Sequence, residues 1–195
     1  LVALYYGGIL KYNPKNPKWD HRDRFIISKG HAAITLYIIL SDLGYFNKSE
    51  LEQFNKGRML GEHPDINIPG IEINSGSLGH GLGIGSGMAF AAKIDSKKYN
   101  TFVLLGDGEC NEGSVWEAAM FAAHHKLENL TAIVDRNKLC IHGTTEEINQ
   151  LEPLDKKFES FGWHVENVDG HNINEIISKL KVNHNNKPKM IIANT

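Results

Sequence analysis

Asp107 sits between two glycines in the stretch GDGECNEG, directly after the apolar run Thr101 to Leu105. Thirty residues further on, Asn137 follows a second apolar run, TAIVD, in the stretch DRNKLCIHG. A bare G-D-G is weak evidence of chemistry, because Asp and Gly are ordinary turn residues. The pairing carries more. Both residues fall just past a strand-like run, with one helix-like segment between them, so the two strands belong to a βαβ unit and lie about 4.8 Å apart if they are neighbours. Open α/β sheets bind ligands outside the carboxyl ends of their strands. An Asp carboxylate and an Asn amide oxygen there could bracket one hard cation such as magnesium, which completes its six oxygens from phosphate, water and a backbone carbonyl. Gly106 and Gly108 would let the backbone approach a diphosphate closely.

The elements that must hold these residues can be read along the chain. Strands are expected at 24–28, 101–105, 131–135, 163–168 and 189–193. Helices are expected at 31–43, 79–95, 114–127, 153–162 and 173–184, with a short one opened by a Ser49/Glu52 capping box and a second box, Ser114/Glu117, opening 114–127. Residues 57–73 read as a loop. Strands alternating with helices over the second half imply an α/β fold, a parallel sheet with helices on both faces. One domain over 1–195 is expected. Both ends are expected to be cut from something longer, since the chain starts without Met and stops after a strand-like run.

Composition narrows the function. Lys plus Arg total 21 and Asp plus Glu total 23, a net charge of −2 that leaves no footprint for nucleic acid or an anionic membrane. No apolar stretch is long enough to span a bilayer. The two cysteines, Cys110 and Cys140, show no metal or disulfide spacing, and a cytoplasmic setting is expected.

The pair G-D-G and Asn, about thirty residues apart, is the thiamine diphosphate motif, and around it the chain resembles the N-terminal, diphosphate-binding domain of transketolase over essentially its whole length. Five segments carry the resemblance in order: DRFIISKGHAAITLY, GEHPD, INSGSLGHGL, GDGECNEGSVWEA and VDRNKLCIHG. The wording GECNEGSVWEAAM and SLGHG looks most like split transketolases, in which this domain is a separate polypeptide.

The resemblance implies a thiamine diphosphate fold, with thiamine diphosphate and Mg2+ (or Ca2+ or Mn2+) as cofactors. The activity implied is transfer of a two-carbon ketol unit from a ketose phosphate to an aldose phosphate, in carbohydrate metabolism of the pentose phosphate kind. Asp107 and Asn137 are implied as metal ligands through their side chains, and Leu139 through its carbonyl. Gly106, Gly108 and Glu109 are implied at the diphosphate, with Gly108 donating its N–H. His31 is implied near the diphosphate and the reacting carbon, and His63 at the substrate hydroxyls. Gly76 and Leu78 are implied at the aminopyrimidine. Glu112 and Glu117 resemble the glutamates that link two active sites across an interface.

The family's pyrimidine-binding domain, with its protonating glutamate and sugar-phosphate arginines, matches no segment here. Arg22, Arg24, Arg58 and Arg136 fall in no matched phosphate-binding motif. The implied partner is therefore that domain or a C-terminal subunit, in a homodimer or a dimer of heterodimers, with sugar phosphates as substrates and neither nucleic acid nor membrane involved. Gly79, Gly83, Gly87 and Ala91 recur every four residues and form one small-residue face, suited to an internal helix–sheet contact or to a subunit interface, the second being favoured because the family's cofactor sits between chains. His124 and His125 read as helix-end residues, His171 as a turn residue and His80 as a packing residue. Alternatives are 1-deoxyxylulose-5-phosphate synthase, which GECNEG argues against, and a 2-oxo acid dehydrogenase α-subunit, which DRF, SKGH and EHP argue against. A third is a non-catalytic cofactor-binding subunit.

Overall fold

The computed structural model describes residues 1–182 and 184–195. Five parallel strands form the sheet: β1 (Arg24–Ile27), β2 (Thr101–Gly106), β3 (Leu130–Arg136), β6 (His164–Asp169) and β7 (Lys189–Asn194), in the spatial order β1-β2-β3-β7-β6. All four pairings are parallel, and the β2–β3 register sets Gly106 opposite Asp135. The central strands are apolar in their middle residues, with polar residues at their ends, because both faces of the sheet are covered.

Alternate residues feed two cores. On one face Ile26, Val103, Ala132, Val134, Met190 and Ile192 pack under α3 (His80–Ile94), α4 (Gly113–His124) and α6 (Leu154–Ser160). On the other, Phe25, Ile27, Phe102, Ile133, Ile191 and Ala193 pack under α1 (Val2–Tyr5), α2 (Ala33–Asp42) and α7 (Ile173–Leu180). The two-residue alternation of a strand divides the side chains in this way. A third, smaller cluster of Ala33, Tyr37, Leu60 and Ile68 seats the loop that carries His63.

The expected strands and the larger helices are all present, with ends shifted by a few residues. The last helix stops at Leu180 rather than 184, and Asn183 lies outside the described residues. Two capping expectations need correction. Residues Lys48–Gln53 form a 3₁₀ turn capped by Asn47, whose Oδ1 accepts from Ser49 N at 3.0 Å. Ser114 does not cap α4; its hydroxyl donates to Gly79 O at 3.0 Å, and Glu112 is the first residue outside the helix. The capping box that does form joins Thr144 and Glu147 at the start of α5 (Thr145–Ile148), just after a small hairpin of β4 (Leu139–Cys140) and β5 (Gly143–Thr144). No helix among the described residues is long and apolar enough to cross a membrane. Both cysteines are free thiols.

The small-residue helix splits its glycines between two jobs. Gly81 packs against Ser28 and Gly85 against Val103 so tightly that neither position has room for a Cβ. These internal contacts let α3 lie close on β1 and β2. Gly83 and Gly87, by contrast, have no heavy atom within 4 Å of where a Cβ would lie, and Ala91 is exposed beside them.

Candidate active site

The C-terminal ends of β1, β2 and β3 converge on one rim, and the loops that leave them carry the chemistry. After β2 the chain makes a 3₁₀ turn over Gly108–Asn111. Asp107 opens that turn and is only 1% exposed. Its Oδ1 accepts from Gly108 N at 2.7 Å. Its Oδ2 accepts from Lys138 N at 2.6 Å and from Arg136 Nη1 at 2.9 Å. The carboxylate thus bridges the end of β2 to the loop that follows β3, where Asn137 stands. Asn137 Oδ1 accepts from Leu139 N at 2.9 Å, a tight turn that leads into the β4–β5 hairpin. The hairpin folds back over Gly108, where a Cβ would come within 2.7 Å of Cys140 Sγ.

Arg136 falls in no phosphate-binding pattern of the sequence, yet the structure puts it at the centre of this rim. It is buried at 1% exposure. Besides Asp107 it reaches Thr145 Oγ1 at 2.8 Å, Glu146 Oε1 at 3.0 Å and Glu152 Oε1 through both Nε (2.9 Å) and Nη2 (2.8 Å). Burial works against its charge, yet the hydrogen bonds to Asp107 and Glu152 outweigh that, and its pKa is raised. Burial pushes the Glu152 carboxyl up, while the Leu154 N–H and Arg136 pull it down further, for a net lowering. The spacing Thr144 to Glu147, a readable capping box, is the sequence signal for the element that positions Glu146.

Glu109, expected to contact a cofactor, is placed differently. It is 2% exposed and both oxygens are used inside the chain. Oε1 accepts from Ser28 Oγ and from Gly79 N (2.9 Å), and Oε2 from Gly106 N (3.0 Å). Ser28 Oγ in turn accepts from Gly81 N at 3.1 Å. Glu109 therefore ties the end of β1, the start of α3 and the end of β2 together. Gly108, expected to offer its N–H outward, here gives it to Asp107. Beside these, Lys29 Nζ meets Asp135 Oδ2 at 2.6 Å across β1 and β3.

His31 lies in the 3₁₀ turn Gly30–Ala32, exposed, just before α2. His63 is exposed as well, and its ring packs on Gly76, with a Cβ there only 3.0 Å from His63 Cδ2. A Cβ on Gly30 would meet Gly76 N at 2.8 Å and His63 Cδ2 at 3.0 Å. The segments bearing His31, His63 and Gly76 are thus brought into one cluster. The His63 carbonyl is fixed by the Tyr37 hydroxyl at 3.0 Å, and burial pushes that phenol up to about 12. Leu78 is 37% exposed, two residues after Gly76. Glu112 and Glu117 do not join this cluster. Glu112 packs on Gly79, and Glu117 lines a groove of about 460 Å³ with His80, Gly83, Ile84, Gly87 and Phe121.

The remaining histidines follow their packing. His124 ends α4 and is exposed. His125 packs at a tilt against Phe90 and Phe121, with centroids 4.5 and 4.4 Å away. His171 donates its backbone N–H to Asp169 Oδ1 in a turn. Among the described residues no three His, Cys, Asp or Glu side chains gather as a metal-holding group. The donors at the rim are instead oxygens of mixed kind, a carboxylate and an amide on neighbouring strand ends.

This arrangement has counterparts among known proteins. The family model described as "Transketolase, thiamine diphosphate binding domain" matches residues 2–195. The chain is 45% identical to one of the apulose-4-phosphate transketolase subunits of Phocaeicola vulgatus, covering 100% of this chain and 70% of that protein. It is also 45% identical to 6-deoxy-6-sulfo-D-fructose transketolase subunit SqwG of Clostridium sp. (strain MSTE9), covering 100% of this chain and 72% of that protein. Among solved structures, the transketolase of Campylobacter jejuni superposes with a TM-score of 0.91 at 35% identity, over 99% of this chain and 32% of that one. The chain spans about a third of the length of the solved transketolases it matches. The rim at the ends of β1, β2 and β3, with its G-D-G turn and the asparagine just past the next strand, therefore lies in a chain that belongs to the transketolase family as its thiamine diphosphate-binding domain.

Proposed function

We propose that this chain is the diphosphate-binding part of a transketolase, acting with a pyrimidine-binding domain or subunit to move a two-carbon ketol unit from a ketose phosphate to an aldose phosphate. The observation that carries the proposal is the bridge made by Asp107 between the end of β2 and the loop holding Asn137. Two relatives at 45% identity are named as transketolase subunits, which supports a partner chain. The open face of Gly83, Gly87 and Ala91, continued by exposed Ile84 and Phe121, supports a subunit contact on α3 and α4.

The rim residues fit a magnesium ion and a diphosphate in kind. Asp107 and Asn137 supply hard oxygen donors, and the Leu139 carbonyl is a third; such a set suits a small dication that takes its other oxygens from phosphate and water. Of the two Asp107 oxygens, Oδ1 holds one hydrogen bond, so a second lone pair is free to meet a cation. Gly106 and Gly108 add no side chain of their own at the rim, where Cys140 Sγ lies against Gly108. When bound, thiamine diphosphate supplies the carbon–carbon bond chemistry, and the protein supplies binding and orientation. His31 lies beside the cofactor, and His63 orients and exchanges protons with substrate hydroxyls. Gly76 and Leu78 offer backbone groups to the aminopyrimidine, while Glu112 and Glu117 lie toward the partner. Glu109 acts through the backbone it holds rather than by touching the cofactor.

Mixing the chain with a candidate pyrimidine-binding subunit, magnesium and thiamine diphosphate tests this directly. A panel of ketose donors, including apulose 4-phosphate and 6-deoxy-6-sulfo-D-fructose, is offered with aldose phosphate acceptors. Ketol transfer by the mixture and not by either chain alone is expected. Transfer at full rate by this chain without a partner contradicts the division of labour.

A further inference from the structure

We propose that Arg136 is a positioning residue that fixes the direction of the Asp107 carboxylate toward the cation, an inference that rests on the proposed role of Asp107 and Asn137. The two side chains are each 2% exposed and meet at 2.9 Å. Asp107 Oδ2 accepts from both Arg136 Nη1 and Lys138 N, which uses its two lone pairs. Oδ1 carries a single bond, from Gly108 N. The oxygen left with a lone pair to give is therefore Oδ1, and the guanidinium holds the carboxylate in the plane that gives this oxygen its direction.

The guanidinium is itself held from outside the rim. Glu152 takes Nε and Nη2, Glu146 takes Nη2, and Thr145 Oγ1 takes Nη1. A planar fork held on three sides in this way has a fixed direction, which an ammonium on a flexible stem does not reproduce. Charge points the same way. Asp107, Glu146 and Glu152 against one guanidinium leave the cluster net negative, which favours a cation beside it. The outer carboxylates come from α5 and the segment before α6, so these elements are coupled to the rim through one side chain.

Titration calorimetry of thiamine diphosphate into the chain at several magnesium concentrations tests the role, with apo thermal stability measured alongside. Outer-sphere partners of metal ligands typically contribute about 10- to 100-fold to metal affinity. Arg136→Met is expected to raise the magnesium concentration for half-saturation within that range, and Arg136→Lys to recover only part of the loss. Should Arg136→Met fail to fold, Glu146→Gln/Glu152→Gln provides a second route. Those side chains are 39% and 48% exposed and glutamine still accepts from the guanidinium, so the fold is expected to persist, at some cost in apo stability, while magnesium half-saturation rises about tenfold. Wild-type magnesium dependence in a folded Arg136→Met or double-glutamine variant, with Asp107→Ala still defective, overturns the role of Arg136 alone. Undiminished binding in Asp107→Ala overturns the site itself and Arg136 with it.

Discussion

The imidazole of His63 rests on the backbone of Gly76, with Cδ2 only 3.0 Å from where a Cβ would stand. Gly76 also holds φ at 143°, a region that other L-residues rarely enter. Gly76→Ala therefore meets both a strained backbone, at about 1–3 kcal/mol, and a displaced histidine. The melting temperature should fall, and turnover of the reconstituted enzyme should fall further than stability explains. Adding His63→Ala removes the clash, so the double variant should be less impaired than the sum of the singles. Full additivity would separate the two residues.

His63→Ala by itself should lower turnover more than cofactor affinity. Loss of a positioned acid or base typically costs about 100- to 10,000-fold in rate. His124→Ala, at an exposed helix end, should leave activity unchanged and stability within about 0.5 kcal/mol. Steady-state kinetics of the two variants side by side decide the matter, and equal losses would remove the distinction between them.

Glu109→Gln should destabilise the fold. The carboxylate accepts from Ser28, Gly79 and Gly106 with two separate oxygens, and an amide has only one oxygen to offer. One buried N–H is left facing an NH2 group, at a cost of about 1–3 kcal/mol. Urea unfolding should show a lower midpoint with an unchanged slope. An unchanged midpoint would mean that Glu109 does not tie β1, β2 and α3 together.

Lys189 gives stability a pH dependence. Its ammonium is buried at the start of β7 and donates to the carbonyls of Lys179, Leu180 and Val182 at the end of α7. Burial lowers its pKa from 10.5 to about 8. Between those values the unfolded chain holds the proton and the folded chain does not, so stability rises with pH across that window. Below about 8 both states are charged and the cost of burying the ammonium is fully present. Lys189→Met should lack this rise. Parallel stability profiles for the two proteins from pH 8 to 10.5 would contradict it.

Much of the fold is legible in the sequence because β1, β2, β3 and β7 are built around apolar runs and helical segments separate all five strands of the sheet. Asp107 and Asn137 are legible for the same reason: each stands where an apolar run ends, and parallel pairing in register brings the ends together. The β4–β5 hairpin is not, since two-residue strands leave no periodicity to read. The network of Arg136 is hidden because its partners lie 10 and 16 residues away, in segments whose course only the fold decides. Ser114 shows the opposite error. Its spacing to Glu117 reads as a cap, but the Gly79 carbonyl, presented by a left-handed residue, claims the hydroxyl first.

On the proposed assignment, Asp107 and Asn137 hold a divalent cation for thiamine diphosphate. Calorimetric titration of the cofactor with and without magnesium, on wild type, Asp107→Ala and Asn137→Ala, tests it most directly. Magnesium-dependent binding should vanish in Asp107→Ala and weaken strongly in Asn137→Ala, while circular dichroism of both stays that of the wild type. Cofactor affinity undiminished in either folded variant would contradict the account.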